Sequence, residues 1–153
     1  MANINKVIGG RRAKARGASF ERVFEQTCIV QGVDCLRILD GCRRIGQYKI
    51  IPAAQGFDFI IGVENKSAFI DTKCVEKGNF TFSQIKPHQL AAFEKLKRSG
   101  VGGYVINFEK EVYFAPLNVL REVLPGKSVD IEKCKHLGND LFFDVRRIFD
   151  ETS

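Results

Sequence analysis

The chain has no apolar run near the roughly 18 residues that a membrane-spanning helix requires, so no such helix is expected. Its opening segment, MANINKVIGGRRAKARG, lacks the apolar stretch of a secretory leader, which points to an intracellular N-terminus. Internal repeats and low-complexity tracts are missing as well. The five cysteines, Cys28, Cys35, Cys42, Cys74 and Cys134, include no CxxC pair, and only two histidines accompany them. Structural zinc draws on closely spaced Cys or His pairs. A scattered, odd-numbered set instead suits reduced, mostly buried thiols in a cytosolic protein. Acid is absent from the first twenty residues, which carry Lys6, Arg11, Arg12, Lys14 and Arg16. Over the whole chain the net charge is +6, with a pI near 9.2, so the excess of base is placed unevenly. A flexible basic arm over residues 1–17, ahead of a folded core, suits a polyanion and above all nucleic acid.

What is present fits one folded unit. A length of 153 residues with 44% hydrophobic and 27% charged side chains allows a single domain with a sizeable core, placed here at residues 18–153. Phe20, Val23, Phe24 and Cys28 recur at helical spacing, which predicts an amphipathic helix from Ala18 to Gln31 closed by Gly32, with Ser19 as its N-cap. VDCLRIL reads as a strand, and residues 40–56 as a polar, glycine-punctuated excursion holding Arg43, Arg44 and Lys49. GFDFIIGV and AFIDTKCV read as a hairpin about the turn ENKS. Pro87 is placed for the first turn of a helix running to Ser99. VGGYVINF and EVYFAPL are two further strands around a turn at Glu109 and Lys110, PLNVLREVL is a short helix, and DLFFDVRRIFD a C-terminal one. Phe69, Phe80, Phe82, Phe93, Phe142 and Phe143 are assigned to the core. The fold class that follows is α/β, a mixed central sheet flanked by helices.

One strand is chemically unusual. FIDTKCV sets Asp71 and Lys73 two positions apart among apolar and β-branched neighbours, and period-2 alternation sends both to one face. In the antiparallel hairpin, Asp58 at the start of one strand comes near Asp71 at the end of the other. Crowded carboxylates are unfavourable unless a cation separates them or one is protonated, and hard oxygen donors suit Mg²⁺. Asp-x-Lys then reads as an acid that holds the metal and an ammonium that orients a water or meets developing charge, the chemistry of phosphodiester hydrolysis. The competing reading is an exposed cross-strand ion pair worth tenths of a kcal/mol, a small return for an acid placed in an apolar strand.

The segments GASFERVFEQ, GFDFII, FIDTKCV and IKPHQLAAFEKLKRSGVGGYVINF, in that order, resemble the motifs of PD-(D/E)xK nucleases. More narrowly they resemble Holliday junction resolvases of the bacterial RecU and archaeal Hjc kind, over residues 10 to about 115. The resemblance implies a PD-(D/E)xK core in α-β-β-β-α-β order and Mg²⁺-dependent resolution of four-way DNA junctions, with Mn²⁺ as a possible substitute. It also implies a homodimer, with no membrane association, in the bacterial cytoplasm or that of a phage host. By motif position it implies catalytic roles for Glu21, Asp58, Asp71, Lys73 and Gln89, with Glu21, Asp58 and Asp71 as metal ligands. Glu25, on the same helix face as Glu21, is the competing acid. Arg11, Arg12, Lys14, Arg16, Arg43, Arg44, Lys77 and Lys86 are the expected DNA contacts, and His88 is expected to be non-catalytic. Three features depart from the pattern: FD replaces PD, Asp71 replaces the commoner Glu, and residues 40–56 are short for a RecU-type stalk. Two other readings stay open, a nuclease of this fold with another DNA target and a non-catalytic DNA-binding module.

Overall fold

The computed structural model describes residues 4–38, 44–45, 48–49 and 56–150, and side chains over 17–38 and 56–150. Eight strands, β1 Asp34–Arg37, β2 Arg44–Ile45, β3 Tyr48–Lys49, β4 Phe59–Val63, β5 Lys66–Val75, β6 Val101–Phe108, β7 Glu111–Pro116 and β8 Lys135–Asn139, join helices α1 Ile4–Val30, α2 Pro87–Leu96 and α3 Leu117–Arg121. Six strands form one sheet in the order β1-β4-β5-β6-β7-β8, while β2 and β3 pair separately. The β1–β4, β4–β5, β6–β7 and β7–β8 ladders are antiparallel. The β5–β6 ladder is parallel, as a crossover through α2 demands. The mixed sheet flanked by helices is the expected fold class.

Alternation along β5 divides the core in two. Ala68 and Ile70 face α1, where Phe20, Phe24 and Cys28 pack with Phe59 and Ile61. Phe69 and Val75 face the other way, into a layer with Phe93 of α2, Tyr104 of β6 and Leu120 of α3. Gly102 makes that second layer close. A methyl group there would come within 2.7 Å of the Phe93 ring, so only glycine lets α2 lie this near β6.

Several expectations are corrected. The helix expected from Ala18 begins at Ile4, so most of the basic segment is helical backbone; Ser19 is interior to it and no N-cap. Arg, Lys and Ala are good helix formers and no proline interrupts them, which offsets about 1 kcal/mol for each glycine. Gly32 does close α1: at φ 69° it sets up the bond from Val33 N–H to Cys28 C=O, 2.9 Å, that ends helices of this kind. Helix α2 stops at Leu96, short of Ser99. The C-terminal helix expected over 140–150 is instead a turn that follows the edge strand β8 and a 3-10 turn at Val145–Phe149. Asn139 Oδ1 accepts the N–H groups of Leu141 and Phe142, both at 3.0 Å, which breaks any helix there. Phe142 is consequently 70% exposed, and Phe82 41% exposed, against their assignment to the core.

Candidate active site

The hairpin register carries the site. The ladder ends with Phe59 paired to Ile70, and Asp58 and Asp71 are the next residues at that end of the hairpin. The backbone at Asp58 is held on both sides: its N–H donates to Ile70 C=O at 3.0 Å, and its C=O accepts from Ile38 N–H at 2.7 Å. Its Oδ2 accepts weakly from the Thr72 backbone N–H at 3.4 Å and from the Thr72 hydroxyl at 3.3 Å. Burial, then the negative charge of Asp71, pushes the Asp58 carboxyl up to about 6, and the Thr72 bonds pull against this. Asp58 therefore resists ionisation where it sits, through burial and through its neighbour Asp71.

Lys73 answers one of them. Its Nζ lies 2.8 Å from Asp71 Oδ2, with the two side chains 21% and 5% exposed. At that burial the pair is not the loosely solvated contact of the competing sequence reading. The same ammonium sits 4.9 Å from the centroid of the Tyr104 ring, within cation–π range. Tyr104 is the register partner of Asp71 across the parallel ladder, which explains its place beside the pair.

The structure brings Asp58, Asp71 and Lys73 together, while Glu21 and Gln89 are bonded to other side chains, Arg37 and Tyr104. Glu21 is on α1, the layer facing Ala68 and Ile70, while Asp71 and Lys73 emerge on the face of Phe69 and Val75. Its carboxylate accepts from Arg37 Nη2 at 2.7 Å. Among the described residues no three Asp, Glu, His or Cys side chains converge to hold a metal ion, so Glu21 does not complete a set with the aspartates in this conformation. Glu25 lies near the Cys28 and Cys35 thiols, where their bond to one another raises Cys28 and lowers Cys35 and the Glu25 charge is a lesser upward influence on both. Gln89 is buried, and its Oε1 accepts the Tyr104 hydroxyl at 2.5 Å rather than reaching Lys73 or either aspartate.

Lys77, two residues past β5, and Lys86, just before α2, are exposed, as is His88. Arg11, Arg12, Lys14 and Arg16 fall on α1 and Arg44 on β2, with side chains outside the described residues; Arg43 lies outside them altogether. Most of the expected stalk at 40–56 does too. Three participants escaped the sequence reading. Thr72 was legible as the residue between Asp71 and Lys73. Tyr104 required knowing that β5 and β6 run parallel. Arg37 gave no signal of its own.

No family model matches the chain, and no curated protein matches it. Its fold is similar to that of Hjc from Archaeoglobus fulgidus, a Holliday junction resolvase from an archaeal hyperthermophile. The TM-score is 0.59 over 78% of this chain and 95% of that one, at 12% sequence identity, so what the two share is the fold.

Proposed function

We propose that this protein is a Mg²⁺-dependent endodeoxyribonuclease that resolves four-way DNA junctions by hydrolysing one phosphodiester in each of two opposed strands. The observation that supports this reading best is the meeting of Asp58, Asp71 and Lys73 at one end of the β4–β5 hairpin. The donor set fits a hard divalent cation. Burial first, and then the nearby Asp71 carboxylate, holds Asp58 up to about 6, and a cation between the two acids relieves the second of these. Asp58 and Asp71 would hold the ion, which when bound supplies an acidified water and a Lewis acid for the phosphate. Glu21 would join them only after leaving Arg37.

The chain's own groups account for the rest. Lys73 keeps a positive charge beside Asp71 and is placed to meet the negative charge that grows on the scissile phosphate. Thr72 holds the Asp58 carboxylate from the backbone and the hydroxyl together, which fixes its direction. Lys77 and Lys86, both exposed, and the basic residues of α1 would take backbone phosphates. Such contacts read shape and charge rather than base identity.

Symmetric cutting needs two active sites, and a homodimer in the cytoplasm is part of the proposal. An exposed apolar face supports it: Val30, Leu141 and Phe142 are 83%, 93% and 70% exposed around a groove of about 400 Å³. Arg22 and Asp140 line that groove, and no ion pair engages either among the described residues. A two-fold axis there would set each Arg22 against the other copy's Asp140.

Incubating the protein with a synthetic four-way junction, a flap and a linear duplex, each with Mg²⁺ or with EDTA, tests the activity. Paired, symmetric nicks in the junction that require Mg²⁺ are expected. Preferential cutting of the flap or the duplex would favour a nuclease of this fold with another target. Tight binding without any product would leave only a DNA-binding module.

A further inference from the structure

We propose that Tyr104 is the positioning residue for Lys73, its ring holding the ammonium while its hydroxyl, bonded to Gln89, ties β6 to α2. The inference rests on the reading of Lys73 as the catalytic ammonium. Lysine carries four rotatable side-chain bonds, and a single ion pair fixes only the direction toward its partner. Here the ion pair to Asp71 is one hold, at 2.8 Å, and the face of the Tyr104 ring, 4.9 Å away, is the second. The ring differs from a second carboxylate in one useful respect. It attracts the ammonium without adding negative charge to a site where two acids already crowd each other.

A platform is useful only if it is rigid, and Tyr104 is held at every side. It has no exposed surface. Phe80 and Phe93 meet its ring edge-on, at 5.7 and 6.1 Å between centroids and interplanar angles of 85° and 73°. Its hydroxyl donates to Gln89 Oε1 at 2.5 Å and accepts the Lys86 backbone N–H at 3.0 Å. Both partners belong to the start of α2, so the first turn of that helix fixes the ring at its hydroxyl end. Gln89 thus meets the hydroxyl end of the ring, buried and engaged, while Lys73 lies over the ring's face. Ring and hydroxyl have separable duties: the ring faces Lys73, while the hydroxyl ties α2 to β6.

Proton NMR of the metal-free protein tests the placement without any activity. The ε-methylene protons of Lys73 should be displaced upfield by the ring current and should show nuclear Overhauser contacts to the Tyr104 ring. Tyr104→Phe should keep both signatures, and Tyr104→Leu should lose the displacement. On a synthetic junction, Tyr104→Phe should stay within about threefold of wild type, while Tyr104→Leu should lose about tenfold or more in kcat with KM little changed. Undisplaced Lys73 signals in the wild-type protein would overturn the proposal even if Tyr104→Leu failed to fold. Full kcat in a folded Tyr104→Leu protein would overturn it too. A wild-type protein that keeps the displaced signals but cuts no DNA would refute the nuclease reading while confirming where the ring holds the lysine.

Discussion

Replacing Asp58 with asparagine should make the metal-free protein more stable. The carboxyl is held near about 6 rather than its ordinary 3.8, first by burial and then by Asp71. At neutral pH that difference corresponds to roughly 3 kcal/mol of resistance to ionisation, at 1.36 kcal/mol per tenfold. Asp58 is only half-buried, so solvent screening brings the usable figure to about 1–2 kcal/mol. Asparagine keeps an oxygen for the Thr72 N–H and hydroxyl, and its amide donates toward Asp71, so the shape and bonds of the site survive. The sign follows from linkage. A carboxyl whose pKa is raised by folding stabilises the fold below the unfolded value, and that contribution is lost as pH climbs through the folded one. Asp58→Asn and wild type should therefore melt alike below about pH 4. The variant should gain through pH 4–6 and hold a lead of ~3–6 °C above pH 7. Thermal melts by circular dichroism in EDTA measure this directly. Equal or lower melting of Asp58→Asn at pH 7.5 would show that the two acids do not strain one another.

Further predictions concern the lysine, the glycine, the basic helix and the apolar face. Lys73→Met strands the buried Asp71 and should cost about 1–3 kcal/mol, whereas Asp71→Asn with Lys73→Met should recover part of it; an additive double mutant in denaturant melts would contradict the pairing. Gly102→Ala puts a methyl group against Phe93 and should lose about 1–3 kcal/mol, so unchanged melting would contradict the close approach of α2. Neutralising Arg11, Arg12, Lys14 and Arg16 together should weaken junction binding and flatten its dependence on salt, with fluorescence anisotropy over a salt series as the check. In light scattering, Arg22→Glu or Asp140→Arg alone should shift the protein toward monomer, and the two together should restore the dimer; a monomeric wild type would end that reading.

The parts of this molecule that could be read in the sequence are those where local pattern and chemistry agree. Alternation in FIDTKCV put Asp71 and Lys73 on one face, and the short ENKS turn set the register that brings Asp58 near Asp71. Pro87 and Gly32 marked helix ends because their backbones permit little else there. What stayed illegible depended on distant partners. The run DLFFDVRRIFD has helical spacing, yet one Asn139 side chain taking two backbone N–H groups turns the chain away from a helix. Glu21 and Gln89 were read by motif position, but Arg37 and Tyr104, to which those side chains bond, come from the next strands, β1 and β6, whose places in the sheet the motifs do not state. A side chain's partner across a sheet depends on strand order, and strand order is not written locally.

The most direct measurement is cleavage of a synthetic four-way junction in Mg²⁺ by wild type and by Lys73→Ala, with binding followed in parallel. Paired nicks from the wild type, near-complete loss of cutting in Lys73→Ala, and retained binding by both are expected. Undiminished cleavage by Lys73→Ala would contradict the assignment of Asp58, Asp71 and Lys73 as the reacting centre.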